Sequence, residues 1–332
     1  MRTTRNMQFK GVGKALPELV RTNADIERDY GIRADWIYNR VGVRQRHIAT
    51  HENNTSLAVD ALKRALEDAG MEFGDLDCLI SASVTFDYVL PNRSSLIKHA
   101  FTRNRDNEIP CVDINTVCTS FITALDYAAC QIASGNFRNV AVVSSEIGSK
   151  GLNPKSPETF SLFGDGAAAV IVSTTENEEA GVRSYRMKTY SDGAYDTIIP
   201  GGGNVNHPKD HPYEQELYSF QMRGPRLLKL ANSVLPNFMQ ELTAESDQPL
   251  NWVVPHQASR MGLKLLSGIK TVRNTPIVQT LENHGNCIAA SVPLAFVTAV
   301  EDGRIQDGDH CLLIGTAAGM SVCGMNLTYA TS

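Results

Sequence analysis

The chain has 332 residues, 42% hydrophobic and 20% charged, slightly more than one core usually organises, which predicts two domains or one fold in two halves. Its 31 Lys and Arg against 36 Asp and Glu leave a net charge of −5, so it has no basic field to hold nucleic acid or an anionic membrane. No stretch approaches the roughly 20 consecutive apolar residues of a spanning helix, and the start, MRTTRNMQFKGVGKALP, lacks the apolar segment of a signal peptide; a soluble, cytoplasmic protein is expected.

In chain order, TSLAVDALKRALEDAG (55–70) carries apolar residues at helical spacing between a Ser/Thr start and a terminal Gly, and CLISASV (78–84) is an apolar run of strand length. The strand-like IPCVDINTV leads into a helical pattern over 119–134, followed by apolar runs VAVVSSE (140–146) and AAAVIVS (167–173). Charge-rich TTENEEAG (174–181) is the best boundary, dividing the chain into halves 1–176 and 177–332. Residues 191–220 hold much Gly and Pro and little periodicity, a long excursion of the kind that often covers a site. Then come a helix over 225–242, the run WVVPHQ (252–257), a helix over 287–301 and the run CLLIGTAAG (311–319). Buried strands alternating with helices predict an α/β fold.

The halves echo one another. NTVCTSFITALDYAACQIASG is followed by VAVVSSE, and HGNCIAASVPLAFVTAVEDG by HCLLIGTAAG. Cys118 and Asn286 each precede a terminal glycine, Gly135 or Gly303, by 17 residues, which would place both at the start of equivalent helices. A duplicated α/β unit with facing halves is the economical reading.

Cys118 stands before a helix, where the positive end of the helix dipole favours the nucleophilic thiolate; a buried core cysteine is the alternative. His256 follows the run WVV and suits general acid/base work or hydrogen-bond donation. Asn286 can donate an N–H to a carbonyl oxygen, although its local position suits a helix cap. Nucleophile and donors converging from facing halves contain what acyl transfer requires, and the backbone of GTAAGMS (315–321) can supply N–H groups to an oxyanion. The seven cysteines are odd in number and never spaced Cys-x-x-Cys, so neither a disulfide framework nor a zinc site is indicated. His207 and His211 are each followed by proline and lack a third metal ligand. Neither GGG (201–203) nor GVGKALP (11–17) completes a nucleotide-binding fingerprint.

The segments WIYNRVGVRQRHIA (36–49), DINTVCTSF (113–121), FGDGAAAVIV (163–172), WVVPHQAS (252–259) and NHGNCIAASVPLA (283–295) resemble, in the same order, the β-ketoacyl-acyl-carrier-protein synthase III group of the thiolase superfamily. The resemblance implies the five-layered αβαβα thiolase fold of two similar halves, a homodimer, and no permanently bound cofactor, with a coenzyme A thioester as substrate. It implies that Cys118 is acylated, that the N–H groups of Cys118 and Gly319 hold the oxyanion, and that His256 and Asn286 support decarboxylation of a malonyl thioester on acyl carrier protein or coenzyme A. Trp36 and Arg40 match positions gripping the nucleotide end of coenzyme A, Gly224 the pantetheine tunnel, and Leu90 the point from which a partner subunit closes the acyl pocket. Lys229 matches a carrier-docking cation.

The chain also departs from the family pattern. Pro157 stands where an arginine often sandwiches adenine, Ser259 replaces Asn in the substrate site, and Met261 fills the place of a docking arginine while Arg260 lies beside it. Ala317 and Ala318 precede Gly319 in place of glycines, and Val117 and Thr119 rather than alanines flank Cys118. Two other readings keep the fold: transfer of the acyl group to an oxygen, nitrogen or other carbon nucleophile, and a non-catalytic partner subunit.

Overall fold

The computed structural model describes residues 4–244 and 248–331. Its strands are β1 (Gln8–Ala15), β2 (Leu19–Thr22), β3 (Gln45–Ile48), β4 (Cys78–Ala82), β5 (Cys111–Ile114), β6 (Asn139–Glu146), β7 (Gly166–Ser173), β8 (Gly181–Thr189), β9 (Thr197–Ile198), β10 (Gln221–Met222), β11 (Trp252–Pro255), β12 (His310–Ala317) and β13 (Ser321–Thr328). Its helices are α1 (Asn23–Tyr30), α2 (Ala34–Arg40), α3 (Asn54–Ala69), α4 (Arg93–Phe101), α5 (Ser120–Ala133), α6 (Pro157–Phe160), α7 (Gly224–Thr243), α8 (Arg260–Gly268), α9 (Leu281–His284) and α10 (Ser291–Glu301). Among the described residues no helix is long and apolar enough to cross a membrane.

One sheet has the order β1-β7-β6-β4-β5, with β4 parallel to both β5 and β6, and β7 antiparallel to β6 and β1. The other has the order β11-β12-β13-β8, with β11 parallel to β12, and β13 antiparallel to β12 and β8. A single parallel bridge from Val253 to Ile277 lies where β5 lies in the first sheet. The same unit is therefore built twice. The inner faces of both sheets, through Val140, Val142 and Val170 on one and Leu313 and Met325 on the other, share one core with α5 and α10. Leu57, Leu62 and Leu66 of α3 cover the outer face of the first sheet, and Phe238 and Leu242 of α7 cover that of the second. The layers run helix, sheet, helix pair, sheet, helix. Burial on both faces is why β6, β7 and β12 read as unbroken apolar runs rather than alternating ones.

The predicted elements are present with adjusted ends. The runs at 78–84, 252–257 and 311–319 stop pairing at Ala82, Pro255 and Ala317, so Ser83 and Val84, His256 and Gln257, and Ala318 and Gly319 lie beyond the strands. The helix expected over 287–301 begins only at Ser291, because Ile288–Ala290 form a 3₁₀ turn. This moves the internal correspondence. Both central helices start three residues after a β-branched residue with positive φ, Val117 (56°) before Ser120 and Ile288 (48°) before Ser291. Ala289, not Asn286, therefore stands where Cys118 stands; the glycine spacing misaligned the pair because α10 is shorter than α5.

Close approach of α3 to β1 depends on glycine: a Cβ on Gly13 would lie 2.5 Å from both Ala61 O and Ala65 N. Neither contact is a movable side-chain end, so Gly13→Ala must separate helix from sheet. Overpacking of this kind costs about 1–3 kcal/mol, and a lowered urea midpoint at unchanged slope is the expected result.

Candidate active site

Cys118 sits two residues before α5, in a turn that the sequence braces. Val117 N donates to Asn115 Oδ1 (2.9 Å), Thr116 N to Ser120 Oγ (3.0 Å), and Ser120 Oγ to Val117 O (2.6 Å). These bonds hold Val117 in the left-handed region, unusual for a β-branched residue and costing about 1–3 kcal/mol, a form of strain that clusters at functional sites. Cys118 is half-buried, and burial pushes its thiol up to about 12, with the Glu146 carboxylate adding to the rise. The backbone N–H groups of Ala318 and of Cys118 itself act in the other direction. The thiolate expected from the helix dipole is therefore outweighed: the resting sulfur keeps its proton. Ala318 provides the contact from the β12–β13 turn, and the next residue, Gly319, makes that turn at φ 112°.

His256 lies just past β11, buried, with its backbone N donating to Ile314 O of β12 (2.8 Å). Its neighbour Gln257, with no exposed surface, fixes that strand end. Nε2 donates to Pro255 O (2.8 Å) and Val278 O (3.2 Å), while Oε1 accepts from the N–H groups of Thr280 (3.0 Å) and Leu281 (3.1 Å). Burial pushes His256 down to about 4, so the imidazole is neutral, and Nδ1 has no hydrogen-bond partner among the described residues. Gly315 connects the two halves here: a Cβ on it would lie 3.1 Å from Thr119 Cγ2 and 3.3 Å from His256 Cβ. The residue after the thiol and the histidine thus flank one glycine of β12.

Asn286, 5% exposed, accepts at Oδ1 from Ile288 N (2.8 Å) and donates from Nδ2 to Ala258 O (3.2 Å), while Ala258 N donates to His256 O (2.9 Å). Asn286 does not stand at a helix N-cap, since Cys287 precedes the 3₁₀ turn and Ala290 precedes α10. A side-chain amide carries two N–H donors; one is spent on Ala258, and the other is left for a carbonyl oxygen.

Glu146, at the end of β6 and fully buried, escaped the sequence reading because it looked like the polar end of a strand. Its carboxyl is pushed up to about 7 by burial, against three hydrogen bonds from Val84 and Thr85 and the charge of Arg93. Its charge reaches both Cys118 and the buried Cys287.

The other predicted positions have surroundings of their own. Trp36 and Arg40 are on α2, Trp36 37% exposed, and Arg40 donates to Glu158 Oε2 (3.2 Å), the residue after Pro157. Gly224 begins α7, and a Cβ there would meet only Met222 Cε, at 3.7 Å. Ser259 caps α8, accepting from Gly262 N (3.1 Å). Arg260 is engaged internally, donating to Tyr38 O (2.9 Å) and Asn39 O (3.3 Å), with its guanidinium 5.2 Å from the Tyr38 ring. Met261 is 47% exposed and Lys229 is exposed on α7. Leu90 is 83% exposed.

A twice-built αβαβα sandwich with a thiol at one central helix is the thiolase fold of condensing acyltransferases. The family model for 3-oxoacyl-[acyl-carrier-protein (ACP)] synthase III matches residues 112–193, and that for its C-terminal part matches 243–329. A β-ketoacyl-[acyl-carrier-protein] synthase III of Vesicomyosocius okutanii is 38% identical over 315 residues, covering 94% of this chain and 95% of the relative. The Coxiella burnetii protein of the same name is 32% identical, covering 95% and 96%. Among solved structures, the Pseudomonas aeruginosa 3-oxoacyl-(acyl carrier protein) synthase III superposes with TM-score 0.85 at 25% identity, covering 98% and 99%. The priming β-ketosynthase of the R1128 polyketide pathway does so with 0.87 at 26%, covering 99% and 98%. The chain belongs to the β-ketoacyl-acyl-carrier-protein synthase III family.

Two histidines, His256 buried and His284 half-buried, give the fold an acid limit. His256 and His284 are both lowered by burial from 6.5 to about 4. Between those values the unfolded chain binds protons that the folded chain does not, so their contribution is full above pH 6.5 and is lost as pH falls towards 4. Glu146, raised from 4.5 to about 7, contributes with the opposite sign over its own window. Comparison with a variant isolates the histidine part. His284→Gln is expected to lose less stability than the parent between about pH 7.5 and 5, read from urea midpoints; equal losses would mean that His284 titrates normally.

Proposed function

We propose that the chain is a decarboxylating condensing enzyme with Cys118 as its nucleophile. The observation that carries this reading is the convergence of the Cys118 turn and His256 on Gly315 of β12, with Asn286 bonded to Ala258 beside that histidine. Cys118 sulfur attacks the carbonyl of an acyl-coenzyme A, and its proton leaves on the coenzyme A thiol. The N–H groups of Cys118 and Gly319, in the turn that brings Ala318 to the sulfur, serve the developing oxyanion. A malonyl thioester, on acyl carrier protein or coenzyme A, then enters. His256 and Asn286 donate hydrogen bonds to its thioester carbonyl as carbon dioxide departs, holding the enolate charge on oxygen. The carbanion carbon attacks the Cys118 thioester, the C–S bond breaks, and the sulfur takes up a proton. Neutral donors suit this step: a buried cation would bind the malonyl carboxylate in its ground state as well as the enolate.

The surroundings fit the same reading. Trp36 and Arg40 receive the nucleotide of coenzyme A, and the open side of Gly224 admits the pantetheine arm near Ser259. Lys229, and any part of Arg260 not held by α2, meets the carrier. Phe86, Tyr88, Val89 and Leu90, 55 to 83% exposed on consecutive stretches of one loop, support a homodimer in which this loop enters the partner subunit. The two halves divide at 176/177, in the turn between β7 and β8, and a cytoplasmic site accords with these substrates.

Exposure to a panel of acyl-coenzyme A thioesters, from acetyl to long-chain and aromatic, should leave a mass adduct that Cys118→Ala abolishes. Asn286→Ala should retain the adduct while lowering malonyl decarboxylation by about 10²–10³-fold, the usual loss for one charge-stabilising donor; equal loss of both steps would sink the assigned role. Glu158 competes for Arg40 with the coenzyme A phosphates. Glu158→Gln is therefore expected to lower KM for acyl-coenzyme A by up to about fivefold, the worth of one exposed ion pair, with no change for an acyl-pantetheine thioester.

A further inference from the structure

We infer that Glu146 is a positioning residue that fixes, from within one subunit, the apolar loop Phe86–Leu90 which bounds the acyl pocket of the other. The inference rests on the dimer proposed above. Beyond β4 the chain turns through Ser83–Asp87, and three charged side chains hold that turn. Glu146 accepts from Val84 N (2.6 Å), Thr85 N (2.8 Å) and Thr85 Oγ1 (2.6 Å). Arg93, 7% exposed, donates to the carbonyls of Ser83 (2.6 Å) and Thr85. Asp87 accepts from the N–H groups of Asn54 (2.9 Å) and Thr55 (2.8 Å) at the start of α3. A carboxylate thus grips the peptide N–H groups of the turn while a guanidinium grips its carbonyls.

Packing does not hold this loop. On one side Thr85, Phe86 and Tyr88 line a cavity of about 430 Å³ with Asn54, Ile147 and Lys150, and on the other their neighbours are in solvent. Its position is therefore set by polar contacts, and Glu146 is the fully buried member of that set. A loop fixed before docking avoids the ordering cost of association, and four apolar side chains held rigidly in solvent have a function only if something receives them. The same carboxylate ends the strand beside Cys118, so one buried group registers the loop against the reacting centre.

The test uses heterodimers of differently tagged chains. One chain carries Cys118→Ala with Glu146→Gln, and the other is unaltered, so acylation occurs only in a subunit whose own Glu146 is intact. The ratio of kcat/KM for the longest and shortest acyl-coenzyme A accepted is compared with that of a Cys118→Ala heterodimer. Displacing a pocket wall by a methylene's width changes discrimination about tenfold or more, and a shift of that size is expected. The reverse arrangement, with Glu146→Gln in the reacting chain, should keep the parental ratio. A shift that follows the reacting chain, or no shift in either arrangement, overturns the inference. Thr85→Val in trans should reproduce the shift and Thr85→Ser should not, which keeps the test decisive if Glu146→Gln fails to fold. A monomer by light scattering would remove the dimer reading and this inference with it, whereas a dimer with a shift only in cis overturns this inference alone.

Discussion

The packing of α5 against α10 between two sheets is the constraint on which the site depends. Each helix is apolar on nearly every face, and each needs a sheet on one side and a partner on the other. Burying the pair aligns the two sheets, and the ends of β6, β11 and β12 then open at one place beside the start of α5. The side chains of chemistry are therefore carried by the rigid core rather than by long loops, with the strand ends fixed by interior bonds such as the four made by Gln257.

That placement determines the electrostatics. Burial dominates these ionisable groups: Cys118 and Glu146 are pushed up and His256 is pushed down. Keeping the thiol and the imidazole neutral avoids the cost of a standing buried ion pair. The arrangement also protects the thiol, since it is the thiolate that reacts with oxidants and alkylating agents.

The sequence made the layered α/β fold legible because its strands are buried on both faces and its helices on at least one, leaving apolar runs and helical spacing that turns do not share. His256 was legible for a related reason, since a polar residue directly after an apolar run lies where a strand ends, whereas Cys118 and Asn286 were read from their predicted places at the start of helices in the two halves. Glu146 satisfies the same rule yet was passed over, since a carboxylate there is indistinguishable in sequence from a solvated strand terminus; its three donors come from residues 84 and 85, far along the chain. For Arg260 the sequence shows the charge but not the two carbonyls at the end of α2 to which one of its guanidinium nitrogens donates. Charge is visible in sequence, but its partner is not.

The correspondence between halves shows how a repeat can mislead and still inform. Counting back from the terminal glycines pairs Cys118 with Asn286, whereas the strained residues Val117 and Ile288 pair Cys118 with Ala289. The two halves have kept the backbone device, a β-branched residue forced to positive φ just before a buried helix, and diverged in the side chain that follows it. In one half that device presents a nucleophile; in the other it presents a methyl group, and the asparagine three residues earlier is turned back towards Ala258 and the histidine strand. Two copies of one strained turn thus carry different side chains at equivalent places, a thiol in one half and a methyl group in the other.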